Sequence, residues 1–179
     1  MRSSSPARGH ARLAAVAVLL GAALTGCSQA SPSVVAYVDG TRITEQQLDD
    51  AVAAVGGTVE EGQQVSPQAV TNALIHGVIA ERIAAQDGIA ITDPQRDALL
   101  KGSNLEPLLA VPAAKPVAYD IADQEIVAQK VGSEAYLKRV SEQQVTLNPR
   151  YGVLDPQQKL IASDQSGSLA KPVPPAPTP

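Results

Sequence analysis

The sequence predicts a mainly α-helical fold with a small antiparallel sheet. Three observations carry that expectation. Two short β-type segments meet at Asp39-Gly40 and run directly into a capped helix. The stretch from Ser66 to Asp87 is apolar around most of a helical circumference. Val145-Thr146-Leu147 is a β-type triplet after a series of helical segments.

Val34-Val35-Ala36-Tyr37-Val38 reads as a strand and Thr41-Arg42-Ile43 as its short return. Asp39-Gly40 between them is a hairpin signal, because both residues tolerate positive φ. Thr44-x-x-Gln47 forms a capping box, in which side chain and backbone satisfy each other at a helix start. That helix continues over Gln46 to Val55, with Leu48, Val52 and Val55 on one stripe, until Gly56-Gly57 stops it.

Ser66-Pro67 opens the next helix, with Ser as cap and Pro in the first turn. Val70, Leu74 and Val78 line one face, and Ile75, Ile79 and Ile83 the next. Ala69, Ala73, Gly77, Ala80 and Ala84 make a small-residue face that another helix can approach closely. Such a helix belongs at the centre, with neighbours on several sides. Gly88 ends it, and Ile89 and Ile91 form an extended bridge. Thr92-Asp93-Pro94-Gln95 starts another helix that ends near Lys101-Gly102.

Pro107, Pro112 and Pro116 are expected to break the following stretch into turns with at most one short helix. Ala118 to Val131 and Ser133 to Gln143 are two further helical stretches, separated at Gly132.

Composition narrows the function classes. The chain has 179 residues and 18.5 kDa, enough for one domain with tails. Hydrophobic residues make up 44% and charged residues 18%, which suits a packed core. Aromatics are 2%, four Tyr without Phe or Trp, which disfavours a base-stacking RNA-binding sheet. A net charge of −4 argues against nucleic acid as a partner. One Cys and two His cannot build an internal disulfide or a four-ligand zinc site.

Residues 1–26 read as a lipoprotein signal peptide. Arg2, Arg8 and Arg12 give a positive start, and Leu13 to Leu24 is an apolar core too short to span a bilayer well. Leu24-Thr25-Gly26-Cys27 resembles the bacterial lipobox, which implies cleavage between Gly26 and Cys27 and a diacylglycerol on Cys27, often with an N-acyl chain such as palmitate. A secretory signal with an incidental Cys27, or a short membrane anchor, are the alternatives. Two acyl chains, at about 0.8 kcal/mol per buried CH₂, anchor stably where one does not. Loss of the three Arg lowers Lys+Arg from 14 to 11 against 18 acidic residues, about −7. So acidic a domain is not drawn to anionic lipid, and the acyl chains must hold it there.

Residues 27–33 then form the lipidated Cys and a polar tether, residues 34–155 the folded domain, and residues 156–179 a Pro-rich tail. Five of the last eight residues are Pro, so the tail is expected to be extended and disordered.

Three stretches stand in a telling order: VVAYVDGTRITEQQLD, then ALIHGVIAERIAAQDGIAITDPQRDALL, then a strand followed by Asn148-Pro149-Arg150-Tyr151-Gly152. Together they resemble the N-terminal domain of SurA-like and PrsA-like foldases, itself similar to the peptide-holding domain of trigger factor. The closing NPRYG resembles a small group of actinobacterial lipoproteins with a SurA N-terminal domain. The likeness covers about Val34 to Asp155. It implies that the N-terminal hairpin and a C-terminal strand, Val145 to Leu147, form one sheet. It also implies an apolar cleft between helices that holds extended polypeptide. Foldases of this family insert a parvulin prolyl-isomerase domain after this region. Only 28 residues follow Tyr151, so the resemblance implies a holder without isomerase activity. Promiscuous grooves favour Met and large aromatics. A groove here has to be lined by Leu, Ile, Val and a few Tyr.

The remaining reactive residue types carry little. His76 has no nucleophile or acid at a spacing that builds a triad, and His10 leaves with the signal. Asp49-Asp50 and Glu60-Glu61 are adjacent carboxylates of the kind that are solvated. No catalytic residue, cofactor site or metal site is expected. Arg150 and Tyr151 form the one polar cluster that is a candidate partner contact. Its structural alternative has Tyr151 covering the sheet and Arg150 pairing with Asp155 or Asp39. The expected function is that of a lipid-anchored, extracytoplasmic, non-enzymatic holder of unfolded or secreted polypeptides. The alternative is an adaptor lipoprotein that binds one folded envelope protein.

Overall fold

The structure, a computed structural model, describes residues 33–59 and 64–161. Strand β1 (Val34–Val38) pairs antiparallel with β2 (Thr41–Thr44) across the Asp39-Gly40 turn. Both turn residues have positive φ, 46° and 86°, the geometry that suits a two-residue hairpin. Helices α1 (Glu45–Gly56), α2 (Pro67–Asp87) and α3 (Asp93–Leu100) follow, then a 3₁₀ turn (Glu106–Ala110). Helices α4 (Lys115–Val131) and α5 (Ser133–Glu142) lead to β3 (Val145–Leu147) and a second 3₁₀ turn (Pro149–Tyr151).

The fold class is the expected one, mainly helical with a three-stranded antiparallel sheet in the order β2-β1-β3. The triplet Val145–Leu147 pairs with β1 in the register Ala36 opposite Leu147 and Val38 opposite Val145. Two polar residues pin that pairing. Asn148 Nδ2 donates to the Val34 carbonyl at 2.9 Å, and the Asn148 backbone N–H donates to the Val35 carbonyl at 2.8 Å. At the other end, the Asp39 N–H donates to the Gln144 carbonyl (2.8 Å), while Asp39 Oδ1 accepts from the Gln144 N–H (3.1 Å).

The caps behave as the sequence demands. Thr44 and Gln47 form the reciprocal box at the start of α1, and Ser66 Oγ accepts from the Ala69 N–H at the start of α2. Ile75, Ile79 and Ile83 are fully buried in one core with Val35 and Val38 of β1. Each such side chain contributes about 1.5–3 kcal/mol relative to exposure. A smaller apolar cluster, Leu100, Leu108, Ala114, Ala118 and Ala122, fills the space between α3, the first 3₁₀ turn and α4.

The small-residue face of α2 receives α4. Ala73, Gly77, Ala80 and Ala84 are all buried. At Gly77 the backbone of α2 lies directly under the side chain of Asp120 on α4. A methyl group there would overlap the Asp120 carboxyl.

Two boundaries differ from expectation. Pro116 was expected to break the chain, but α4 starts at Lys115 with Pro116 in its first turn. The N–H that Pro lacks is not needed there, so the ring is tolerated. The packed body also continues beyond Asp155. Leu154 bridges Ile161, which is 4% exposed, and the Asn72 side chain brackets the Ile161 backbone, with Oδ1 accepting from its N–H at 2.8 Å. The signal segment, Gly26, Cys27, the tether through Pro32, Glu60-Glu61 and the tail from Ala162 onward lie outside the described residues.

Candidate functional site

Among the described residues, two of the depressions that border α4 bear on function. The first is an apolar groove of about 480 Å³ between α3, the turn after it, α4 and α5. Leu99, Leu100 and Leu105 line it from α3 and the turn that follows, Ile121 from α4, and Tyr136 and Leu137 from α5. These are the aliphatic and Tyr types that the composition allows. Leu137 is 58% exposed, whereas its neighbour Tyr136 is buried with a hydroxyl that has no hydrogen-bond partner. Burial pushes the Tyr136 phenol up to about 12, so it remains a neutral wall. Glu125 stands at the rim, accepting from Gln129 Nε2 at 2.8 Å. The surface can bury aliphatic side chains of a second polypeptide.

The second depression is a charged cleft of about 440 Å³ between α2, the start of α3 and the first half of α4. Arg96 organises it. Its Nε and Nη2 donate to the two Asp123 oxygens at 2.7 and 2.9 Å, and its Nη1 donates to Asp93 Oδ1 at 2.8 Å. The guanidinium also lies 4.9 Å from the Tyr119 ring centre, and the Lys115 ammonium lies 4.8 Å from it. Tyr119 Oη donates to Asp97 Oδ1 at 2.7 Å.

Asp120 lines the same cleft. Its carboxyl has no hydrogen-bond or ion-pair partner among the described residues. Burial, then the charges of Asp123 and Glu81, push it up to about 7, with Arg96 acting weakly the other way. It can therefore hold or release a proton near neutrality. Asp120 is not among the residues that the sequence singles out. The signal was present: an acid between apolar neighbours, Ala118, Ile121 and Ala122, on a helix that must face the small-residue side of α2.

The residues that the sequence singled out fall as follows. Tyr151 Oη donates to Glu45 Oε1 at 2.9 Å, and Arg150 Nη2 lies 3.7 Å from the same oxygen. Of Asp39, Glu45 and Asp155, the acid beside Arg150 is therefore Glu45. Asp39 faces Arg82, with its Oδ2 3.3 Å from Arg82 Nε in an ion pair that lacks hydrogen-bond alignment. Asp155 is turned to the N–H groups of Gln157 and Gln158 in its own turn. Asp49 and Asp50 are exposed on α1.

His76 is buried at 8% exposure, one turn along α2 from Asn72, and its Nε2 has no hydrogen-bond partner. Burial pushes its imidazole below the ordinary value, opposed by the backbone of Lys159 and Gln158 beside it. Among the described residues, no group of three or more His, Cys, Asp or Glu is placed to hold a metal ion. Also among them, no helix is long and apolar enough to cross a membrane. No protein-family model, curated protein or solved structure matches the chain.

Proposed function

We propose that this protein is a lipid-anchored, extracytoplasmic holder of unfolded or extended polypeptides that works without catalysis. The observation that carries the reading is the apolar groove beside α5, where Leu137 stands 58% exposed among aliphatic lining side chains. An exposed apolar surface with a concave floor supports binding of another chain. The acidic balance of the chain keeps such a holder soluble while it is loaded. Anchoring rests on Leu24-Thr25-Gly26-Cys27.

The experiment is suppression of aggregation of an unfolded client by the purified protein, with Leu137→Asp as control. Leu137 is exposed, so this variant is expected to keep its thermal midpoint and to lose suppression. Absence of suppression by the wild type, with one folded protein recovered by crosslinking in cells, would replace the holder with the adaptor. Labelling with a radioactive fatty acid tests the anchor, and Cys27→Ser is expected to abolish incorporation.

A further inference from the structure

We propose that Asp120 is a proton-operated latch on the α2–α4 crossing, seated on the bare backbone at Gly77 when neutral and loosening that crossing when charged. The geometry leaves the carboxyl few options. It lies so close over Gly77 that α2 has no room for even a methyl group at that position. It has no hydrogen-bond donor or cation as a partner among the described residues.

The groups around it favour the neutral form. From α2 it faces Glu81, and from its own helix Asp123. From α3 come Asp93 and Arg96, and from the start of α4 Lys115 and Tyr119, all lining the same cleft. Arg96 directs its donors to Asp123 and Asp93. Lys115 is drawn over the Tyr119 ring. A carboxylate left between Glu81 and Asp123 is both desolvated and repelled, and either effect favours the proton.

The pH window follows from this. In the unfolded chain the group titrates near the ordinary Asp value of about 3.9. In the folded chain it holds its proton to about 7. As pH rises between those values, the unfolded chain sheds the proton first, so the contribution of Asp120 to stability is full at low pH and falls until the folded group has titrated. The latch is therefore tight in mild acid and slack above neutrality. Because α4 also lines the apolar groove through Ile121, the same proton bears on the shape of that groove.

The test uses the full-length protein. ¹³C NMR of the Asp120 carboxyl is expected to show a midpoint near pH 7, and Glu81→Gln is expected to lower it by removing a like charge. Amide exchange at residues 77–80, corrected for intrinsic rate, is expected to accelerate between pH 6 and pH 8 in the wild type and to stay level in Asp120→Asn. The thermal midpoint of the wild type relative to Asp120→Asn is expected to fall over pH 5–8. A carboxyl midpoint below pH 5 overturns the latch, and so do wild-type and Asp120→Asn stability curves that run parallel. Glu81→Gln keeps the titration test available if Asp120→Asn fails to fold.

Discussion

Tyr151 and Glu45 share a 2.9 Å hydrogen bond that ties the turn after β3 to the first residue of α1. The bond fastens the last strand to the first helix from outside the sheet. Tyr151→Phe keeps the ring and removes the donor. It is expected to cost about 1 kcal/mol in urea unfolding. Arg150→Ala is expected to cost no more than about 0.5 kcal/mol, because its side chain is 63% exposed and solvent screens the contacts of an exposed cation. A larger loss for Arg150→Ala than for Tyr151→Phe would reverse this ranking.

Arg96 and Asp123 form the strongest polar link between α3 and α4. Asp123 is 8% exposed. Removing the guanidinium leaves a buried carboxylate without its cation, so Arg96→Ala is expected to cost about 3 kcal/mol in chemical unfolding. Arg96→Lys is expected to recover only part of that, because an ammonium cannot bridge both Asp123 oxygens in plane and reach Asp93 as well.

His76 gives a pH dependence of opposite sign to Asp120. Burial holds the folded imidazole below its ordinary value. As pH falls through about 6.5, the unfolded chain takes up the proton first and the folded state loses ground. Stability attributed to His76 is therefore present above that pH and lost below it. His76→Gln is expected to lose less stability than the wild type between pH 7.5 and pH 5 in urea titrations. The turn against α2 is expected to loosen first, read as faster amide exchange at Ile161, corrected for intrinsic rate, in the wild type than in His76→Gln at pH 5.

Gly77→Ala sets two effects against each other. Alanine favours the helix by about 1 kcal/mol. The added methyl meets the Asp120 side chain as far in as its Cβ, which cannot swing aside as a flexible tip would. Overpacking costs about 1–3 kcal/mol and should win. A net loss of about 1 kcal/mol in thermal or urea unfolding is the expected outcome, and a gain would mean that the crossing yields to the added methyl.

Local chemistry made much of this architecture legible. The Thr44–Gln47 box, the Ser66-Pro67 start and the Asp39-Gly40 turn each follow from side chains acting within four residues of themselves, and each stands where the sequence put it. The small-residue face of α2 was readable too, because a helix with Ala73, Gly77, Ala80 and Ala84 on one side has to be approached by something large. Pro116 misled because a proline reads the same from sequence whether it breaks a helix or opens one. Only the preceding turn, packed through Leu108 and Ala114, decides.

The partner of Arg150 was equally hidden. Asp39, Glu45 and Asp155 are alike as charges, and the choice among them depends on how the second 3₁₀ turn lies over α1. Asp120 needed the α2–α4 pairing before its isolation could be seen. The groove lining was foreseeable in kind from the scarcity of aromatics, but not in place, since its walls come from α3, α4 and α5 together.

The bond from Asn148 to Val34 joins residues 114 apart in the chain. Pairings of that span delay completion of a fold. A chain delivered N-terminus first can form its hairpin and helices early, yet β1 keeps one open flank until the segment around residue 147 has followed. Truncation anywhere before that segment should therefore leave a species with an unpaired strand edge, prone to sticking to its own kind, so the chain is whole or hazardous with little between.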